Sequence, residues 1–278
     1  MMQCYLPVPF ESDEAYSNHI GDLVDAIAKQ NTGNKPESIP MLPDIVTWRD
    51  IQKSDPDNKS FVIGLDTIDV KQQGINLNVP THLVVGNAQT GKTNILKLAC
   101  KEFEKYKVFI ADSDAMDLLD CAEKENVAYF SNTQQLEGFM ANLEAEISER
   151  ENAYASVSAK TRLKDFCESQ KPLLILIDDG DHFVELTKSV AKQMEELLKK
   201  AMKFGATIIT TTVPGKLRGF DNITKLLKDS QSGVILGNPS EQNIFMLPVM
   251  RNYKPQIDMG FIYSRGRIVN IKIPFVGR

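Results

Sequence analysis

Eight consecutive residues, Gly86, Asn87, Ala88, Gln89, Thr90, Gly91, Lys92 and Thr93, follow the spacing GxxxxGK[ST]. Each type has a use if the ligand is a chain of phosphates. Glycines let the backbone curl until successive N–H groups point inward, and a helix starting at the end of the loop adds its positive end. Lys92 is then placed to reach the β- and γ-phosphates of ATP, and the Thr93 hydroxyl to ligate Mg²⁺. A chance match arises about once in a hundred sequences of this length, so the flanking pattern matters. An apolar run, His82 to Val85, precedes the eight residues and an amphipathic segment follows them. A glycine-rich strand-to-helix turn without a ligand is the alternative that this context weakens.

A second constellation is the apolar run Leu173 to Ile177 ending in Asp178 and Asp179. A strand buried on both faces reads as such a run, and its carboxyl end opens onto the ligand crevice of a parallel sheet. Asp178 is therefore expected in the Mg²⁺ shell. Asp179 occupies the place where many ATPases carry a Glu that orients the attacking water. Its carboxylate stops one methylene short, about 1.5 Å back, and a displacement of that order slows an oriented reaction about a hundredfold. Asp179 is thus the candidate catalytic residue and a handicapped one. Acidic residues that merely end a strand in a turn are the alternative.

Other reactive types point elsewhere. Asp112, Asp114, Asp117 and Asp120 are explained by helix capping and a solvated face without a metal. His19, His82 and His182 lack a nucleophile motif. Cys4, Cys100, Cys121 and Cys167 have no metal-ligand spacing and read as reduced thiols. Trp48 reads as a packing anchor.

The elements that must position the loop alternate along the chain. Strands are expected at His82–Val85, Lys107–Ala111, Val127–Phe130, Leu173–Ile177, Thr207–Thr211 and Gly233–Leu236. Amphipathic helices are expected over Thr93–Tyr106 (with Ile95, Leu96, Leu98, Ala99 and Phe103 on one side), Gln134–Arg150 and Leu186–Phe204, the last closed by Gly205. Such alternation predicts an α/β fold with a mainly parallel central sheet flanked by helices. Phe261–Tyr263 and Arg267–Ile273 flank Ser264, Arg265 and Gly266 as a C-terminal β-hairpin. Upstream, Gln3–Phe10 reads as a strand and Ser12 as the cap of a helix bearing Ile20, Leu23, Val24 and Ile27. A polar break over residues 31–38 follows, with Pro36, Pro40 and Pro43 in or just beyond it. Residues 1–40 are therefore expected to be a short appendage and linker, and residues 41–278 the main domain.

Composition excludes several classes. The 278 residues are 42% hydrophobic and 25% charged, with a net charge of −5, as in ordinary globular proteins. With no Lys/Arg-rich stretch, a broad nucleic-acid footprint is disfavoured. No apolar run approaches the ~20 residues that span a bilayer, and the N-terminus lacks a signal-peptide pattern.

The ordered set Ile63-Gly64-Leu65-Asp66, Gly86 to Thr93, Asp178-Asp179, Gly237-Asn238-Pro239-Ser240 and the closing hairpin resembles FtsK/SpoIIIE-type domains of the HerA-like P-loop ATPases. More narrowly, residues 41–278 are similar to the C-terminal ATPase domain of the EssC/EccC family of type VII secretion. The resemblance implies a RecA-like sheet, ATP and Mg²⁺ as cofactors, and neighbouring ATPase domains in the same chain. It further implies a hexamer of the full-length protein, a place at the cytoplasmic face of the membrane, and secreted WxG-type substrates. The appendage would then continue from a preceding domain. Where DNA-translocating relatives carry Gln-Arg-Pro, this chain has Thr212-Val213-Pro214. With Asp179 in place of Glu, that departure predicts Mg-ATP binding with weak or no hydrolysis; an active translocase of protein or DNA is the alternative. Arg218, Arg251, Arg265 and Arg267 are candidates for acting across a subunit boundary by charge alone, against the commoner role of surface ion pairing.

Overall fold

The computed structural model describes residues 12–30, 39–51, 60–102, 104–124, 127–157, 160–230, 232–247 and 253–276. The expected strand at Gln3–Phe10, the break at 31–38 with Pro36, and Cys4, Phe103 and Arg251 lie outside them. The chain divides into two compact units, Met1–Met41 and Leu42–Arg278. In the first, helix α1 (Asp13–Gln30) starts after Ser12, whose hydroxyl accepts from the Ala15 N–H at 3.2 Å as expected of a cap.

In the second unit the strands are β1 (Ser60–Asp66), β2 (Gln72–Asn76), β3 (Thr81–Val85), β4 (Lys107–Ala111), β5 (Val127–Phe130), β6 (Leu173–Ile177), β7 (Ala206–Thr212), β8 (Ser232–Leu236), β9 (Met259–Ser264) and β10 (Arg267–Lys272). The helices are α2 (Trp48–Ile51), α3 (Lys92–Lys101), α4 (Leu119–Ala122), α5 (Thr133–Ser156), α6 (Leu163–Ser169), α7 (Gly180–Leu186), α8 (Ala191–Lys203) and α9 (Asn222–Lys228). One sheet holds all ten strands in the order β2-β1-β10-β9-β8-β3-β7-β6-β4-β5. From β8 to β5 the pairings are parallel, and from β8 back to β2 they are antiparallel.

The pleat sorts the parallel strands onto two cores. Val84, Val108, Ile110, Leu174, Leu176 and Ile209 pack with Ile95, Leu96, Leu98 and Ala99 of α3. Leu83, Val85, Phe109, Ile175, Ile177 and Ile208 face the other way, onto Leu136, Phe139, Leu143 and Ile147 of α5 and Met194, Leu198 and Ala201 of α8. Period-2 alternation on strands covered by helices on both faces produces this division. Trp48 packs, partly buried, against the first core.

All six expected parallel strands form, with ends shifted by at most one residue. The helices differ more. The expected helix to Tyr106 stops at Lys101, and a turn closed by Lys105 N–H on Glu102 O (2.8 Å) delivers Tyr106 edge-on to Phe61, centroids 6.2 Å apart. Burial of that ring in the core overrides the local periodicity. The segment expected as one helix over Leu186–Phe204 is broken: α7 ends at Leu186, a 3₁₀ turn spans Lys188–Val190, and α8 follows. Buried Thr187 turns its hydroxyl back to Phe183 O at 2.8 Å, a competing bond that favours the break. Gly205 does close α8, at φ +86°. The helix expected over Gln134–Arg150 runs on to Ser156, capped by Asn132, whose side chain accepts from Gln134 N–H (3.1 Å) and Gln135 N–H (3.2 Å).

Candidate functional site

The loop Gly86–Thr93 leaves the carboxyl end of β3 and enters α3. Its start is fixed by Gly86 N–H donating to Thr212 O at 3.2 Å. A Cβ on Gly86 would collide with Thr90 Oγ1 and approach Leu236 O at 3.0 Å, so only glycine permits this packing. Gly91 takes φ +95° as the residue that turns the chain into α3. The Asn87 carbonyl accepts from Thr90 Oγ1 (2.9 Å) and from Lys92 Nζ (2.7 Å), so the lysine folds back over the loop. Burial lowers the Lys92 pKa, while the charges of Asp178 and Asp179 act to raise it.

At the end of β6, Asp178 is buried and gathers three hydroxyls. Its carboxylate accepts from Thr211 (2.7 Å), Thr93 (3.2 and 3.4 Å) and Ser113 (3.3 Å), which come from β7, α3 and the loop after β4. Burial pushes its pKa up, opposed by these bonds and by Lys92. A buried carboxylate beside a threonine hydroxyl is a pair of oxygen donors of the kind a hard divalent cation takes. Thr93, Lys92 and Asp178 are thus brought together at one place.

Asp179 is used differently. Its side chain caps α7, accepting from Asp181 N–H (3.1 Å) and His182 N–H (3.4 Å), while its own N–H donates to Thr211 Oγ1 at 2.8 Å. Its φ of +62° and ψ of +92° lie outside the usual wells, strain of the sort found where surroundings over-determine the backbone.

The acidic cluster divides. Asp114, Asp117 and Asp120 are exposed, in accord with a solvated face, but Asp112 is buried and neither solvated nor a helix cap. It accepts from Ser113 N–H, Leu118 N–H and Tyr129 Oη, each at 2.9 Å, and so shapes the loop that carries Ser113 to Asp178. Among the described residues no group of three or more His, Cys, Asp or Glu could hold a metal. Sequence reading missed Ser113 and Thr211. Thr207, Thr210, Thr211 and Thr212 on a fully buried strand were the available signal, since buried hydroxyls need partners.

Asn87 directs its amide to the Glu241 carboxylate, beyond β8. Asn94 holds the C-terminal segment against α3, donating to Pro274 O (2.9 Å) and accepting from Val276 N–H (2.8 Å).

Parallel sheet, strand-end loop and buried Asp178 define a P-loop domain of the α/β class. No family model matches the chain. Its homologues are the EssC/EccC ATPases of type VII secretion. The ESX secretion system protein YukB of Bacillus subtilis is 26% identical over 287 residues, covering 98% of this chain and 19% of YukB. The chain therefore spans about a fifth of the length of this relative. Among solved structures, the cytoplasmic domain of EssC superposes with a TM-score of 0.77 at 23% identity, covering 99% of this chain and 56% of that one. EccC of Thermomonospora curvata (ATPases 2 and 3), solved with a signal sequence peptide, gives 0.62 at 20% identity, covering 96% and 50%. Among the described residues no helix is long and apolar enough to cross a membrane.

Proposed function

We propose that this chain is a nucleotide-holding domain of a type VII secretion motor, which binds Mg-ATP with weak or no hydrolysis and serves substrate recognition and assembly. The loop Gly86–Thr93 holds the phosphates, Lys92 meets the β- and γ-phosphates, and Thr93 and Asp178 hold Mg²⁺, which supplies charge neutralisation when bound. The observation that carries the weak-turnover reading is the engagement of Asp179: its Oδ1 caps α7, which holds the carboxylate against its own helix. Its strained backbone and the missing methylene act in the same direction.

Homology to EssC/EccC over nearly the whole chain supports a place beside other ATPase domains of one longer protein, and the family resemblance adds the cytoplasmic face of the membrane and a hexamer of the full-length protein to the same proposal. The signal sequence peptide in complex with the Thermomonospora EccC fragment supports recognition of a secreted substrate, which the family resemblance takes to be of the WxG type. Nucleotide then acts mainly as a stabilising ligand, by about 2.7 kcal/mol at a hundredfold excess over Kd. A thermal melt with and without Mg-ATP, alongside a steady-state turnover assay, tests this. The melting temperature is expected to rise in the wild type and not in Lys92→Ala, with turnover well below the ordinary ~1–10³ s⁻¹. Equal shifts in both proteins would remove the phosphate assignment, and turnover of tens per second would remove the weak-hydrolysis reading.

A further inference from the structure

Beside the phosphate loop lies a cavity of about 230 Å³ that the loop chemistry leaves unexplained. One wall is the loop itself, with Asn87, Gln89 and Thr90. The opposite wall comes from the segment beyond β8, with Gly237 and Glu241, and from the stretch before β9, with Pro255 and Ile257. The volume is below the ~300–1,000 Å³ of a site that encloses a whole drug-sized ligand. It suits one half of a molecule whose other half lies on the loop. Gly237 has no side chain, and a Cβ there would approach Thr90 Cγ2 at 3.1 Å, so the slot stays narrow where it meets the loop. Pro255 and the largely exposed Ile257 (77%) offer apolar surface without a partner of their own.

Glu241 is the unexpected wall residue. A carboxylate next to a loop that collects phosphates repels them, and in this structure its partner is the Asn87 amide at the rim. A carboxylate is also an acceptor-only group that pairs well with hydroxyl donors, and an acidic side chain meeting ribose hydroxyls is an established solution in dinucleotide sites. Resting on the phosphate assignment above, we propose that this cavity receives the nucleoside half of the ligand and that Glu241 selects a ribonucleotide by accepting from the sugar 2′-hydroxyl. Asn87 then has two roles: its carbonyl steadies Lys92, and its amide holds the carboxylate in place until the sugar arrives.

Calorimetric titration of the full chain with the Mg²⁺ complexes of tripolyphosphate, ATP and 2′-deoxy-ATP separates the two halves of the site. In the wild type, ATP is expected to bind about tenfold or more tightly than 2′-deoxy-ATP, the value of one hydrogen bond to a charged acceptor. Glu241→Ala, an exposed change, should collapse that ratio to about two while leaving tripolyphosphate affinity within about twofold. Equal wild-type affinity for ATP and 2′-deoxy-ATP would overturn the inference. So would an equal loss of all three ligands in Glu241→Ala, since the carboxylate would then act only by shaping the loop. Tripolyphosphate binding as tightly as ATP would remove the nucleoside site and leave the phosphate site standing, whereas no binding by either would remove both.

Discussion

The two halves of the sheet are built on different patterns. In the parallel half, β3, β6, β7 and β8 are buried at every position, and their carboxyl ends carry the loop, Asp178 and Thr211. In the antiparallel half, β2 and β10 bury one residue each, and no group on these strands reaches Asp178. The difference follows from connection geometry. Parallel strands need helical crossovers, so each carboxyl end faces the start of a helix and a crevice forms there. Antiparallel strands turn back at once and provide area instead. Their contribution to the site is indirect: the segment before β9 walls the cavity, and the strand-end beyond β10 ties to α3 through Asn94.

The sharpest test of this contrast sets a truncation in the parallel half, Leu176→Ala, against one in the antiparallel half, Val269→Ala. Leu176→Ala, in fully buried β6, should destabilise the protein by about 2–5 kcal/mol in chemical denaturation. A smaller effect is expected of Asp178→Asn. Removing a charge that burial disfavours should raise the melting temperature of nucleotide-free protein by about 2–4 °C, as for ~1 kcal/mol in a domain of this size, and abolish any further rise with Mg-ATP. Burial holds the folded pKa of Asp178 above its ordinary 3.8, and that of Asp112 likewise. The native state therefore takes up these protons more readily than the unfolded chain. The stability linked to them is fully present below pH 3.8 and is lost as pH rises through the folded pKa values. Mg²⁺ affinity should run the opposite way, and melts at several pH values with and without Mg²⁺ would show both slopes.

Asp179 allows a finer distinction inside the parallel half. Asp179→Ala should cost about 1 kcal/mol as a lost N-cap, whereas Asp179→Asn keeps the cap and should stay within about 0.5 kcal/mol of wild type. On the weak-hydrolysis proposal neither should lower turnover further; a drop of a hundredfold in both would show that the carboxylate works on water after all. The smallest effect belongs to the antiparallel half, where half-buried Val269→Ala should cost about 1 kcal/mol or less and leave the Mg-ATP melting shift intact.

Much of this arrangement was legible from residue order alone. The six parallel strands announced themselves as short apolar runs, and the loop by its spacing. The antiparallel strands β1 and β2 were not legible, because Gly64, Gln72, Gln73 and Gly74 blur the alternation and pairing to β10 is a long-range event. Helix ends failed where a single contact outweighed periodicity, as at Tyr106 and Thr187.

For the candidate site, the sequence by itself marked out the loop Gly86–Thr93, since spacing within eight consecutive residues fixes what one turn of backbone can offer. It also set Asp178 and Asp179 at a strand end. Only the tertiary structure decided how those two neighbours part company. The strand ends at Ile177 and the chain turns at Asp179 with φ +62°, so Asp178 meets hydroxyls from three other elements while Asp179 caps the helix that follows it. It likewise decided that Ser113, Thr211 and Glu241 stand at the site, because residues 65 and 33 positions away from Asp178, and 154 away from Asn87, meet only once the sheet has formed.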